Sequence, residues 1–158
     1  MRTARKNKQK MFYSLYNKGM SKPIYETDEY GNIKYMDIKL DDGEVVTVPV
    51  ESGTKTVNYD TPVEFKANIY SQISEAHMKA YGVDKSSIYS ELVVSKGALP
   101  LNYGSLIWKE SKIVYDDDVA DVPKQSSSDY TVVGIMTEGL NTDSYLLQRN
   151  SSESDSNG

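Results

Sequence analysis

The side chains of this sequence that could do chemistry are a single histidine and a run of acidic residues. His77 could act as a general base or as a metal ligand, but no set of further ligands accompanies it. Packing or a hydrogen bond is the favoured interpretation of His77. Asp116–Asp118 and Asp121 could bind Ca²⁺ through their carboxylates, yet their spacing does not match an EF-hand loop. A solvated acidic loop is favoured there.

Other catalytic or cofactor-binding patterns are missing from the sequence. It contains no phosphate-binding loop, no dinucleotide fingerprint and no nucleophile elbow. Asp41-Asp42-Gly43-Glu44 is typical of a hairpin turn, and Trp108 is better explained as a core residue than as a stacking platform. The absence of cysteine excludes disulfides and thiolate metal sites. We therefore predict a protein that is not an enzyme and that binds neither a cofactor nor a metal.

Charge is distributed unevenly along the 158 residues. The first ten residues carry five basic side chains and no acid, whereas the other 148 hold 13 basic and 23 acidic side chains. Such an acidic body is unsuited to gripping nucleic acid over a broad face. Residues 1–9 are predicted to be a flexible basic arm that meets solvent, an acidic protein partner or a phosphate, with Arg2, Arg5 and Lys6 as candidate contacts. No apolar run approaches 18 residues, so no membrane span is predicted.

The clearest structural element is Val63–Tyr70, in which apolar and polar residues alternate strictly. Val63, Phe65, Ala67 and Ile69 fall on one face, which is the pattern of a strand with one buried side. After it, Ile73, Ala76, His77 and Ala80 recur at helical spacing, and Gly82 is placed to end a short helix. Further strands are predicted at 11–16, 24–27, 33–38, 45–50, 54–59, 87–95, 105–109, 112–115, 130–137 and 143–149.

These elements predict an all-β, mainly antiparallel fold: a small β-barrel or sandwich with one short helix and extended hairpin or loop arms. A single domain is expected over 10–150, followed by a disordered tail at 151–158. The hairpins at 28–60 are polar with thin apolar content, so this region could project from the body. Thirteen of the 16 aromatic residues are tyrosine, which suits both strands and protein interfaces. Tyr30, Tyr35, Tyr70 and Tyr81 are the candidate interface residues.

Several segments together resemble the head-closure (head–tail connector, or stopper) proteins of long-tailed bacteriophages. The resemblance begins with the basic start that runs into Phe12-Tyr13-Ser14-Leu15-Tyr16 and continues through Phe65–Ile69. It then includes Tyr81-Gly82, where family members often have Phe-Gly, and Ser105–Trp108. It ends with Asp129–Val133, Leu140-Asn141 and Tyr145–Leu147. Ser71–Ser74 stands where the family commonly has a glycine.

The resemblance implies a virion structural protein that forms a ring of about six or twelve copies in the phage neck. Such a ring would be made in the host cytoplasm, close the DNA-filled head and contact a portal-side adaptor and a tail-terminator or tail-tube protein. Packaged DNA would pass through its channel with little sequence recognition. Two alternatives remain: a tail-completion or tail-terminator ring, and an OB-like barrel that binds nucleic acid, against which the acidic balance argues.

Overall fold

A computed structural model describes residues 9–84 and 88–150, and its main body is a closed barrel of six antiparallel strands. The barrel strands are β1 (Gln9–Ser14), β6 (Val63–Tyr70), β7 (Tyr89–Ser95), β8 (Leu106–Trp108), β9 (Tyr130–Met136) and β10 (Thr142–Arg149). They pair in the order β1-β6-β7-β10-β9-β8, and β8 pairs with β1 to close the ring. The predicted fold class is confirmed, in its barrel form rather than its sandwich form.

Alternation along the strands accounts for the barrel interior. On β6, Phe65 and Ala67 are buried, and Tyr13 of β1 packs edge-to-face on Phe65 with 5.6 Å between ring centroids. Leu92 on β7 and Leu147 on β10 are fully buried in the same cluster. Closure leaves the barrel without free sheet edges, because each of the six strands has a neighbour on both sides. The strand predicted at Val63–Tyr70 is thus one of six barrel strands and lies between β1 and β7.

The chain between β1 and β6 forms a structure outside the barrel that we call the arm (residues 16–59). Its base is a ribbon of β2 (Tyr16–Tyr25) and β5 (Glu51–Tyr59), and its far part is a hairpin of β3 (Tyr35–Lys39) and β4 (Val45–Pro49). The sequence predicts no strand over 17–23, but β2 runs through these residues with an irregular register and with Gly19 at φ 75°. The arm therefore begins well before residue 28.

The base of the arm is fixed to the loop that precedes β9. Val57 of β5 is buried against Val119 and Val122, with Met20 and Ile24 of β2 packed on the same cluster. Beside it, Lys55 Nζ lies 3.0 Å from Asp116 Oδ2 and 3.1 Å from Asp118 Oδ2. The hydrogen bonds that Lys55 donates to both carboxylates raise its pKa. The acidic loop is thus a fixed support for the arm as well as a solvated segment.

We expect Lys55→Met to loosen this attachment without unfolding the barrel. The methionine keeps the length of the stem but leaves two neighbouring aspartates without their shared cation. Hydrogen exchange of the amides of Asp118 and Val119, which donate to Asp116 Oδ1, should become faster. Lys22→Met is the matched control, because Lys22 faces Lys55 across the ribbon but contacts neither aspartate. Equal exchange in the two variants would contradict the role of Lys55.

The helix α1 (Glu75–Tyr81) lies on the outer surface of the barrel. Ser74 caps its start by accepting from the His77 N–H, and Gly82 at φ 75° ends it. Its buried residue is Met78, whereas Ala76, His77 and Ala80 are exposed. The helical face that packs on the barrel is therefore centred on Met78 and not on His77, so the predicted face is wrong by about one residue. A helix of two turns is oriented by the few residues that fit the barrel wall.

The segment after β8 folds back over the barrel instead of adding the strand predicted at 112–115. Of that stretch, Tyr115 alone forms an isolated bridge, to Pro123, and a 3₁₀ turn follows at Gln125–Ser127. Trp108 is buried outside the barrel wall, because it pairs with Phe12 while its neighbour Ile107 points into the interior. Its indole N–H donates to Ser127 Oγ at 3.0 Å. Trp108 is thus buried as predicted, but beneath a loop.

Candidate functional site

One side of the arm hairpin is apolar and is not covered by the described part of the chain. Cross-strand pairing places Met36 opposite Val48 and Ile38 opposite Val46, and Leu40 continues the same alternation. Met36, Ile38 and Leu40 are 47%, 38% and 41% exposed. We call these five side chains the apolar hairpin face. An exposed apolar sheet face of this kind typically marks a protein contact.

The opposite side and the end of the hairpin are polar and acidic. Thr47 donates a hydrogen bond to Asp37 at 2.8 Å, and Tyr35 and Lys39 share their side of the sheet. The connecting turn contains Asp41, Asp42 and Glu44 and is closed by Asp42, which accepts from the Glu44 N–H. Residues 26–50 hold seven acidic and two basic side chains. The apolar hairpin face therefore ends at a strongly acidic turn.

Three of the four candidate tyrosines lie on the surface. Tyr30 is 80% exposed in a turn where Asp28 accepts from the N–H groups of Tyr30 and Asn32. Tyr35 is 61% exposed on the polar side of the arm hairpin, and Tyr70 is 49% exposed at the end of β6. The structure does not bring these three into one site. Arg2, Arg5 and Lys6 lie outside the described residues.

Sequence reasoning missed the residues of the apolar hairpin face. Averaged over 28–60 the region is polar, which led to the expectation of thin apolar content. The signal was nevertheless present: Met36, Ile38 and Leu40 alternate, and the Asp42-Gly43 turn fixes which residues of β4 join them. Reading the two strands as a paired hairpin rather than one at a time would have revealed the face.

The fourth tyrosine, Tyr81, belongs to a polar cluster beneath α1. Glu91 of β7 is 5% exposed on the outer side of the barrel and accepts from the Tyr81 hydroxyl at 2.8 Å. His77 Nδ1 lies 2.8 Å from the same carboxylate oxygen. Burial raises the pKa of Tyr81, and the hydrogen bond to Glu91 raises it further. This cluster attaches the helix to the barrel, so Tyr81 makes an intramolecular contact rather than offering a free surface.

We expect Tyr81→Phe to lower the free energy of unfolding by about 1 kcal/mol. The change removes the hydroxyl that donates to the buried Glu91 carboxylate and keeps the ring in place. Urea unfolding of the purified chain would measure the loss. Tyr30→Phe is the matched control and should be neutral, because Tyr30 is exposed. Equal stability of both variants would show that the Glu91 contact does not hold the helix.

His77 is placed for a hydrogen bond. Among residues 9–84 and 88–150, no group of three or more histidine and acidic side chains is arranged to hold a metal ion. A shallow cleft of about 430 Å³ lies beside the helix, lined by His77, Thr142 and Ser144. Ser144 is a hydrogen-bond partner of Tyr81. His77 and Ser144 thus both contact the buried cluster, which favours a structural role for His77.

Among residues 9–84 and 88–150, no helix is both long and apolar enough to cross a membrane. Comparison with protein-family models, with curated proteins and with solved structures found no match to this chain.

Proposed function

We propose that this chain is a non-enzymatic structural subunit that assembles into a ring, and that the ring is the head–tail connector of a long-tailed bacteriophage. The ring would close the DNA-filled head and present a docking face to the tail. Its partners would be other copies of itself, a portal-side adaptor and a tail-terminator or tail-tube protein. Its place in the virion neck, and its six or twelve copies, are drawn from the sequence resemblance.

The observation that carries the assembly part of this proposal is the apolar hairpin face. Ile38 and Val46 stand opposite each other on this face, whose β3 residues are exposed and whose β4 residues Val46 and Val48 are half-buried. A two-stranded hairpin alone is marginally stable in water, so a partner that covers this face would stabilise the arm as well as gain affinity. Lys55 and the cluster around Val57 attach the base of the arm to the barrel loop, which reduces the entropy lost on binding.

The charge of the chain supports the channel part of the proposal. The 148 residues after the basic start carry a net charge of −10. Lysine and arginine on a channel wall would release counterions and hold the duplex, whereas an acidic wall would let it pass. The same acidity argues against an OB-like nucleic-acid-binding role.

Removing the arm tests the proposal. Residues 26–50 can be replaced by an Asn-Gly turn that joins Tyr25 to Glu51, because Glu26 and Val50 are already hydrogen-bonded neighbours. The barrel should still fold, since its interior cluster contains no residue of that segment. In the phage that encodes the chain, we expect filled heads and separate tails by electron microscopy, with few joined particles.

Point variants distinguish loss of the apolar hairpin face from loss of the whole arm. Ile38→Asp places a charge on the apolar hairpin face, and Val45→Asp places one on the opposite side of the same hairpin. We expect Ile38→Asp to reproduce the deletion and Val45→Asp, whose residue is 59% exposed, to assemble normally. Normal virions from the deletion variant, or virions that lack this chain, would reject the proposal. Incorporation elsewhere in the tail would favour the tail-terminator alternative.

A further inference from the structure

A second uncovered surface lies on the barrel wall beside Trp108. It is a groove of about 400 Å³ between β1 and the loop after β8. Its floor is apolar and is made by Phe12, Ile113 and Tyr115, of which Tyr115 is 43% exposed. Its rim is basic and is made by Lys10, Lys109 and Lys112. We call these six residues the lysine-rimmed groove.

The three rim lysines differ in their contacts inside the chain. Lys10 pairs with Glu64 at 3.3 Å, with both side chains at least half exposed, and its Nζ also lies 6.0 Å from the centroid of the Phe12 ring. Within residues 9–84 and 88–150, neither Lys109 nor Lys112 forms a salt bridge. One acid, Glu110, lines the groove with them. The groove therefore combines apolar area with two lysines, Lys109 and Lys112, that form no salt bridge within the described chain.

The arm hairpin has the complementary combination. Its apolar face ends at the turn that contains Asp41, Asp42 and Glu44, and residues 26–50 carry a net charge of −5. An apolar strip with an acidic end fits an apolar floor with a basic rim in both hydrophobicity and sign of charge. Opposite potentials across such a contact favour the correct partner and speed its encounter.

The arm hairpin does not fill the groove of its own chain. Tyr115 of the groove is followed by the loop at Asp116–Val122, and this loop holds the base of the same chain's arm through Val57 and Lys55. From that base the hairpin extends by about six residues, or roughly 20 Å at the rise of a strand. Every residue of β3 is exposed, and no hairpin residue within the described chain lines the groove. A hairpin that fills this groove would therefore come from another copy.

We propose that the apolar hairpin face of one copy docks in the lysine-rimmed groove of a second copy. This inference rests on the proposed self-assembly and adds the receptor surface for the arm. Each copy would give its arm to one neighbour and its groove to the other. Such a head-to-tail contact repeats around a ring when the rotation between copies closes.

Engineered cysteines test the contact directly, because the natural chain has none. Full-length Ile38→Cys and Ile113→Cys proteins are purified separately, mixed at high concentration and oxidised. We expect a disulfide-linked pair of about twice 17.7 kDa. Val45→Cys mixed with Ile113→Cys is the matched control, because Val45 lies on the other side of the hairpin. It should give about tenfold less product.

Charge reversal supplies the second measurement. Lys109→Glu with Lys112→Glu should weaken the Ile38–Ile113 crosslink about tenfold, and Asp41→Lys with Asp42→Lys in the partner should restore it. Equal crosslinking of the two hairpin sides, or none, would overturn the inference even if the chain is found in virion rings. A crosslinked pair that never enters virions would instead leave the contact standing and reject the neck assignment. If an oligothymidine probe binds in the groove and the Ile38–Ile113 crosslink does not form, the inference is also overturned.

Discussion

Replacing Asp129 with alanine is expected to lower the free energy of unfolding by about 2 kcal/mol. Its carboxylate accepts from the N–H groups of Lys109, Glu110 and Ser111 and from the Ser111 hydroxyl. Alanine leaves all four donors without this acceptor. The same loop covers Trp108, which is the single tryptophan, so loss of the carboxylate should also shift the emission of this residue to longer wavelength.

The pH dependence of the free energy of unfolding tests whether the ionised Asp129 carboxylate is the stabilising group. Burial alone would raise the pKa of Asp129, but the hydrogen bonds from Ser111, Glu110 and Lys109 outweigh it and hold the pKa below its ordinary 3.8. A pKa lowered on folding contributes stability that is complete above pH 3.8 and is lost as the pH falls through the folded value. Asp129→Asn should therefore show a smaller loss of stability below pH 4 than the natural chain. Identical acid unfolding curves would contradict this account.

Strands in which apolar and polar residues alternate strictly were predictable from the sequence, and β6 is the clearest case. Its bounds, Val63–Tyr70, are those expected from alternation, and of the predicted apolar face Phe65 and Ala67 are buried and Ile69 is half-buried. Val63 of the same face is 46% exposed, because it lies at the start of the strand and outside the core cluster. The same reasoning identified β9 and β10 to within one residue, since the turn at Glu138–Asn141 separates two apolar runs.

Elements that depend on distant contacts were not predictable in the same way. β2 continues through Gly19 because β5, nearly forty residues later, pairs with it on both sides of the irregularity. Residues 112–115 leave the barrel because Asp129 and Ser127 hold the preceding loop and the Trp108 ring beneath it. A local pattern contains no information about either partner. The candidate site shares this limit, because its apolar face exists only after β3 and β4 are paired.

Replacing Gly134 with alanine is expected to destabilise the chain by about 2 kcal/mol, because α1 rests directly on this residue. An added methyl at Gly134 would lie 2.7 Å from Tyr81 Cδ1 and 2.9 Å from Leu146 Cβ. Leu146 belongs to the paired strand and cannot withdraw, so the Tyr81 ring and its helix must move. Urea unfolding measures the global loss, and hydrogen exchange of the α1 amides measures the displacement of the helix.

A double-mutant cycle with Tyr81 shows whether the helix contact causes this loss. Tyr81→Ala removes the ring that approaches Gly134 most closely, so Gly134→Ala should cost about 1 kcal/mol less in that background. The remaining cost comes from Leu146 Cβ, which stays at 2.9 Å. If Gly134→Ala costs the same with and without the Tyr81 ring, the strain lies entirely within the barrel wall. In that case Glu91 and His77 would have to hold the helix without help from the packing of Tyr81 on Gly134.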